Sequence, residues 1–231
     1  MNAYIITGGN VLLKNIKIDL EEGDVVIAAD SGYKTALDLK LPVDVLIGDM
    51  DSLKGDIPSG IEIIRLPEEK DLTDTEAAVD LALEKGADNI TIIGGIGSRL
   101  DHTLASIGVL EDIEGLFSAP LGKRRKFFGL AKQAKYARRV YATMTNGYNR
   151  IRFIRNDSVI IPRNPYFKYL SLICADEFVK GVTVDGCKYP LEKATLSRRR
   201  QGYAVSNEIK GNCAFVSVRR GGIYIIESID N

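Results

Sequence analysis

Four times in its first hundred residues the chain runs through a short apolar, largely β-branched stretch, meets glycine or aspartate, and then turns helical. The stretches are AYIITGGN at 3–10, DVVIAADSG at 24–32, VDVLIGDMDS at 43–52 and NITIIGGIGSRLDH at 89–102. Runs that are apolar on both faces suit strands buried between helices, which is how a parallel sheet reads. Between them, SGYKTALDLKL places Tyr33, Ala36, Leu37 and Lys40 at helical spacing. TDTEAAVDLALEKGAD opens on Thr73-x-x-Glu76, a capping-box pattern, and closes near Gly86. Strand and helix in alternation predict a doubly wound, mainly parallel α/β fold. The 231 residues, 45% hydrophobic and 27% charged, are ordinary for a globular chain and suffice for one large domain or two modest ones.

From about residue 151 the pattern changes to RIRFIR, SVIIPR, YLSLIC, GVTVDG, CAFVSV and GIYIIES, short alternating runs parted by Asn, Asp, Pro and Gly. Gly221-Gly222 between two such runs reads as a hairpin turn. Turn signals at this spacing predict an antiparallel β-sandwich. The expected division is an α/β domain over 1–147 and a β-sandwich domain over 148–231.

Several classes are disfavoured. Lys plus Arg and Asp plus Glu are 31 each, so net charge names no partner. Cys174, Cys187 and Cys213 are odd in number and lack a C-x-x-C pair, which argues against a disulfide framework or a zinc site and suits a reducing cytoplasm. The apolar run in MNAYIITGGN has no basic flank and is too short for a signal or a spanning helix, so a cytoplasmic protein without membrane attachment is expected. Neither G-x-G-x-x-G nor a Walker A sequence is present, against an ordinary dehydrogenase or P-loop ATPase.

In open parallel sheets ligands bind beyond the carboxyl ends of the strands. Asp30, Asp49, Asp51 and Asp101, with glycines 8, 9, 32, 48, 94, 95 and 97, all follow such ends. Asp49 and Asp51, two apart in an extended segment, face the same way. Two adjacent carboxylates with no base beside them repel unless a cation joins them, and hard oxygen donors favour Mg²⁺. EEKDLTDTE at 68–76 adds Asp71 and Asp74 at a helix start, where Asp74 also reads as a complement to the helix dipole. Lys70 in that loop is a candidate phosphate ligand, and glycine turns and helix N-termini attract phosphate through their N–H groups. GGIGSRLDHT at 94–103 holds His102, the only histidine, which reads first as structural. Arg99 is better suited to neutralise a transferring phosphoryl group.

Taken in order, AADSGYKTALDLKLPVDVLIGDMDSL, EEKDLTDTEAAVDLAL, GGIGSRLDHTLASIGVL, GVTVDGCKYPLEKATL and YAVSNEI resemble the thiamine pyrophosphokinase (thiamine diphosphokinase) family, over residues 3–110 and 146–230. The resemblance implies that the α/β domain, 1–147, is the nucleotide- and metal-binding catalytic domain and the β-sandwich, 148–231, the thiamine-binding domain, with a homodimer holding thiamine at its interface and transfer of a diphosphoryl group from ATP, with Mg²⁺, to thiamine. It implies metal roles for Asp49, Asp51 and Asp74. Catalytic roles fall on Asp71, Asp101 and Arg99, with Asp101 preferred to orient the attacking hydroxyl or accept its proton. Asp30, Gly32, Lys70, Thr73, Arg99 and His102 would meet ATP and its phosphates. Ser206 and Asn207, which local sequence alone reads as a turn, would meet thiamine. There is no tryptophan, so any residue stacking on thiamine is Tyr or Phe.

Two other readings stand beside it. One is diphosphate transfer to another hydroxymethyl heterocycle such as a pterin; the other is a non-catalytic nucleotide- or nucleic-acid-binding protein on the same scaffold. Residues 116–139 depart from the family as a basic insertion or divergent element, with eight Lys or Arg between 123 and 139. Its first reading is a solvated amphipathic helix rather than a nucleic-acid contact, the basic residues keeping the second open.

Overall fold

The computed structural model describes residues 1–50, 59–67, 72–118 and 139–230. The chain divides into two compact units, Met1–Asn146 and Gly147–Asn231.

The first unit carries strands β1 (Asn2–Ile6), β2 (Val25–Ala29), β3 (Val45–Gly48), β4 (Glu62–Arg65), β5 (Asn89–Ile93) and β6 (Tyr141–Thr145), with helices α1 (Gly32–Asp38), α2 (Asp74–Glu84) and α3 (Leu100–Ser118). The strands lie in the order β4-β3-β2-β1-β5-β6 and every neighbouring pair is parallel. Every residue of β2 and β3 is buried, as runs apolar on both faces require. The capping box forms: the Thr73 hydroxyl accepts from the Glu76 N–H at 3.2 Å, and the Glu76 carboxylate accepts from the Thr73 N–H at 2.7 Å. At the start of α1 only glycine fits, because a Cβ on Gly32 would stand 2.0 Å from the Ile6 carbonyl oxygen. The chain adds strands outward from β1 to β4 and then crosses to β5 and β6. The point where the winding reverses lies between β1 and β5. No helix among the described residues is long and apolar enough to cross a membrane.

The second unit carries β7 (Asn149–Arg155), β8 (Ser158–Pro162), β9 (Tyr169–Cys174), β10 (Phe178–Asp185), β11 (Leu191–Ser197), β12 (Cys213–Arg220) and β13 (Gly222–Ser228). Within this unit β7, β13 and β9 are neighbours in one sheet and β11-β10-β12-β8 form the other, with every one of these pairs antiparallel. Ile154, Leu172, Ile223 and Ile225 of the first meet Ile161, Val182, Leu196 and Val216 of the second in one buried core. This is the sandwich that the alternating runs predict.

Gly221-Gly222 is not the hairpin the sequence suggests. β12 and β13 belong to different sheets, and the glycine pair is the corner between them. The Gly221 N–H donates to Asn156 Oδ1 and the Gly222 N–H to Asp176 Oδ2, both at 2.8 Å. A Cβ on Gly222 would lie 2.5 Å from Phe153 Cζ. A glycine pair marks a tight change of direction; which sheet the next strand joins is decided by where Ile223 and Ile225 can be buried.

Candidate active site

The reversal between β1 and β5 is where an open parallel sheet leaves a crevice at its carboxyl edge. Here the two strand tips are stitched to each other. Gly95 N–H donates to the Gly8 carbonyl and Asn10 N–H to the Ile96 carbonyl, both at 2.9 Å, and Gly94 N–H reaches Thr145 of β6 at 2.9 Å. Gly97 N–H donates to Thr103 Oγ1 at 3.1 Å. The N–H groups of glycines 94, 95 and 97, which the sequence suggests for phosphate, are thus taken up within the chain. Their effect is to fix the loop that carries Arg99.

Arg99 and Asp101 stand on that loop and the first turn of α3. Arg99 Nη2 donates to Asp101 Oδ2 at 2.6 Å and Nε to Oδ1 at 3.3 Å, a two-pronged ion pair open to solvent. The Arg99 hydrogen bonds hold the Asp101 carboxyl below its usual range. The Thr103 hydroxyl donates to the Arg99 carbonyl at 3.0 Å, and His102 is exposed beside the pair.

Asp30 directly follows β2, with φ +45°; its N–H donates to the Ile47 carbonyl at 2.9 Å and its carbonyl accepts from Tyr33 N–H at 3.1 Å. A Cβ built on Gly48 would lie 3.2 Å from the Cβ of Asp30, so the tips of β2 and β3 touch and Asp49 follows directly. Both aspartates are half-buried, as is Asp74, the first residue of α2. The Thr73 hydroxyl, besides accepting from Glu76 N–H, donates to Glu76 Oε2 at 2.9 Å, so the cap engages it fully. Asp51, Lys70 and Asp71 lie outside the described residues, as does nearly all of the 116–139 segment. Hard carboxylate oxygens at strand tips suit Mg²⁺ in kind. Among the described residues no three His, Cys, Asp or Glu side chains gather as a metal site.

In the second unit a cavity of about 370 Å³ opens between the sheets, lined by Leu170, Leu172, Tyr189, Leu191, Tyr203 and Asn207 among others. Its apolar floor and two aromatic walls suit a flat ring. Tyr189 and Tyr203 are 59% and 73% exposed, large aromatic surfaces left in water beside a hollow. Sequence reasoning passes over both; the signal that finds them is a tyrosine on each side of the motif region, in CKYPL and GYAVSNEI. Ser206 is left-handed at φ +58° and its N–H donates to Ser171 Oγ at 3.0 Å. Asn207 lines the cavity, yet its side-chain amide both accepts from and donates to the backbone of Tyr189.

Fold and site together define a class: an α/β unit with acidic strand tips and an arginine at its crevice, followed by a sandwich that holds an aromatic-walled cavity. The model of the thiamin pyrophosphokinase catalytic domain matches residues 17–116, and that of the thiamin pyrophosphokinase vitamin B1 binding domain matches residues 158–223. The chain is 28% identical over 236 residues to thiamine pyrophosphokinase of Bacillus subtilis, covering 98% of each. The crystal structure of the B. subtilis enzyme superposes with a TM-score of 0.79 at 25% identity, over 100% of both chains. That of a thiamin pyrophosphokinase family protein from Enterococcus faecalis does so with a TM-score of 0.74 at 28% identity, again over 100% of both. The chain belongs to the thiamin pyrophosphokinase family.

Proposed function

We propose that the chain transfers a diphosphoryl group from ATP to the hydroxyethyl oxygen of thiamine, yielding thiamine diphosphate and AMP. The observation that carries this is the pairing of two family matches with two kinds of site. The catalytic-domain match covers the unit with acidic strand tips, and the vitamin-binding match covers the unit with the ring-sized cavity.

The alcohol oxygen attacks the β-phosphorus; its new O–P bond forms as the bond from that phosphorus to the α,β-bridging oxygen breaks, and the bridging oxygen leaves on AMP. Little covalent help is needed from the protein, so alignment and charge neutralisation supply most of the acceleration. Asp49, Asp51 and Asp74 would hold Mg²⁺, which when bound neutralises phosphate charge. Arg99 faces the same need from the crevice side, its guanidinium already oriented by Asp101. That pairing keeps Asp101 ionised, so its carboxylate can hold the Arg99 guanidinium and orient the attacking hydroxyl or take up its proton, with Asp71 the other candidate for that proton. Asp30, Gly32 and Lys70 would seat the nucleotide. In the cavity, tyrosine rings would stack on the acceptor. The working form is a homodimer, for which sedimentation should give twice the chain mass.

Purified protein with ATP, Mg²⁺ and thiamine should release AMP in step with thiamine diphosphate, and chelation of the metal should stop both. Asp49→Asn should lower turnover by orders of magnitude while circular dichroism and melting temperature stay near those of the parent. AMP without thiamine diphosphate, or a fully active Asp49→Asn, would contradict the assignment.

A further inference from the structure

Asn207 closes two hydrogen-bonded pairs at once. Its backbone N–H donates to the Leu170 carbonyl at 3.0 Å and its carbonyl accepts from the Leu170 N–H at 2.7 Å, an isolated antiparallel bridge onto β9. Its side chain does the same for a different segment: Oδ1 accepts from the Tyr189 N–H at 3.0 Å, and Nδ2 donates to the Tyr189 carbonyl at 2.7 Å. The side-chain amide stands where a peptide group would stand in a ladder.

The surroundings explain why. Residues 186–188 and 208–210 already form a short ladder, with Lys188 N–H to the Glu208 carbonyl at 2.8 Å and Lys210 N–H to the Gly186 carbonyl at 2.9 Å. At Ser206 the backbone turns left-handed, and the main chain of Asn207 is spent on Leu170. Tyr189 would then end the ladder unpaired. Pro190, which follows, has no N–H with which to anchor the segment itself. A primary amide alone among uncharged side chains offers donor and acceptor in peptide-like geometry. Leu170 is on the floor of the cavity and Tyr189 on its lip, so Asn207 ties one to the other. Both lone pairs of its Oδ1 are occupied, by Tyr189 N–H and by Glu208 N–H at 2.9 Å.

We infer that Asn207 is a positioning residue: it holds the Tyr189 lip against Leu170 and thereby sets the aromatic wall on which the flat ring of the acceptor stacks. This rests on reading the cavity as the acceptor site. It differs from direct recognition of the acceptor by Asn207, because the residue acts through Tyr189, and removing it after Tyr189 is gone has no further effect on acceptor binding.

The test is a double-mutant cycle on the full chain, with kcat and KM measured separately for thiamine and ATP. Tyr189→Ala and Asn207→Ala should each raise KM for thiamine by about tenfold or more, the scale of one aromatic stacking contact, with KM for ATP within about twofold. The double variant should be no worse than the worse single one. Asn207→Asp, which keeps the acceptor and loses the donor, should fall between parent and Asn207→Ala; Tyr189→Phe should stay near the parent, because both tethers are to backbone atoms. A merely structural role would lower the active fraction, hence kcat, and leave KM for thiamine unmoved. If Asn207→Ala does not fold, the same cycle is run with Asn207→Asp. Penalties that add in the double variant would overturn the inference in favour of direct contact. An active enzyme whose KM for thiamine is indifferent to Tyr189→Ala and to Tyr203→Ala would overturn it together with the cavity reading, and that result differs from additivity.

Discussion

Asp80 lies in the middle of α2, fully buried, with neither side-chain oxygen hydrogen-bonded among the described residues. Burial pushes its carboxyl up to about 7, with Glu84 and Glu76, one turn to either side, adding to the shift. In the unfolded chain an aspartate titrates near pH ~3.9. Between about pH 4 and pH 7 the folded chain therefore holds a proton that the unfolded chain has lost, and the unfolding free energy falls as pH rises through that window. The stability is full below the lower value and is lost as pH climbs through the upper one, on the order of a few kcal/mol at about 1.4 kcal/mol per pH unit. Asp80→Asn, neutral at every pH, should match the parent near pH 4 and exceed it at pH 8 in denaturant midpoint. Parallel profiles for the two proteins would show that Asp80 does not carry this dependence. Asp80 lies between half-buried Glu76 and exposed Glu84 at four-residue spacing, yet is itself covered because residues 77–83 of α2 are buried without a break.

At the scale of elements, α2 is the clearest case of local chemistry deciding a boundary. Thr73 supplies its hydroxyl to the first turn, and Glu76 returns the bond to the Thr73 N–H. Thr73→Ala should cost about 1 kcal/mol of stability, while Thr73→Ser should cost much less; chemical denaturation of the two variants against the parent measures it. Equal loss in both would mean that the methyl group rather than the cap matters. The same locality made β1, β2, β3 and β5 legible, since a strand with neighbours on both sides and helices on both faces must be apolar throughout. Two of the strands that the pattern passes over, β4 and β11, are edge strands of their sheets. Each has a neighbour on one side only, and exposed Glu62 and Arg65, or Glu192, Lys193 and Thr195, break the apolar run. The Gly221-Gly222 corner was misread for a related reason: a turn signal is local, and strand pairing is not. The acidic strand tips were legible because they follow from the strands by topology alone. The cavity was not, since Leu170, Tyr189 and Tyr203 become neighbours only after two sheets have formed.

For the whole molecule, the division into two units makes a claim about where each substrate is felt. Each unit has strands, pairing and buried side chains of its own, and each carries its own family match. A ligand that binds only the folded state stabilises what it contacts by mass action, and local opening is suppressed where it sits. If the nucleotide is held by the strand tips of the first unit, Mg²⁺ with a non-hydrolysable ATP analogue should slow amide exchange around Asp30, Tyr33, Asp49 and the first turn of α2. If the acceptor ring is held in the sandwich cavity, thiamine should instead slow the amides that form the tie described above, those of Leu170, Tyr189 and Asn207, because opening them would open the cavity. Hydrogen exchange read by mass spectrometry on the full chain, with each ligand alone, separates the two. Thiamine protecting the strand tips while the cavity amides exchange as before would move the acceptor site out of the sandwich, and with it the roles given to Tyr189 and Asn207. Protection of both regions by either ligand alone would mean that the units open together, in which case the division of labour drawn from their separate cores is the part that has to be given up.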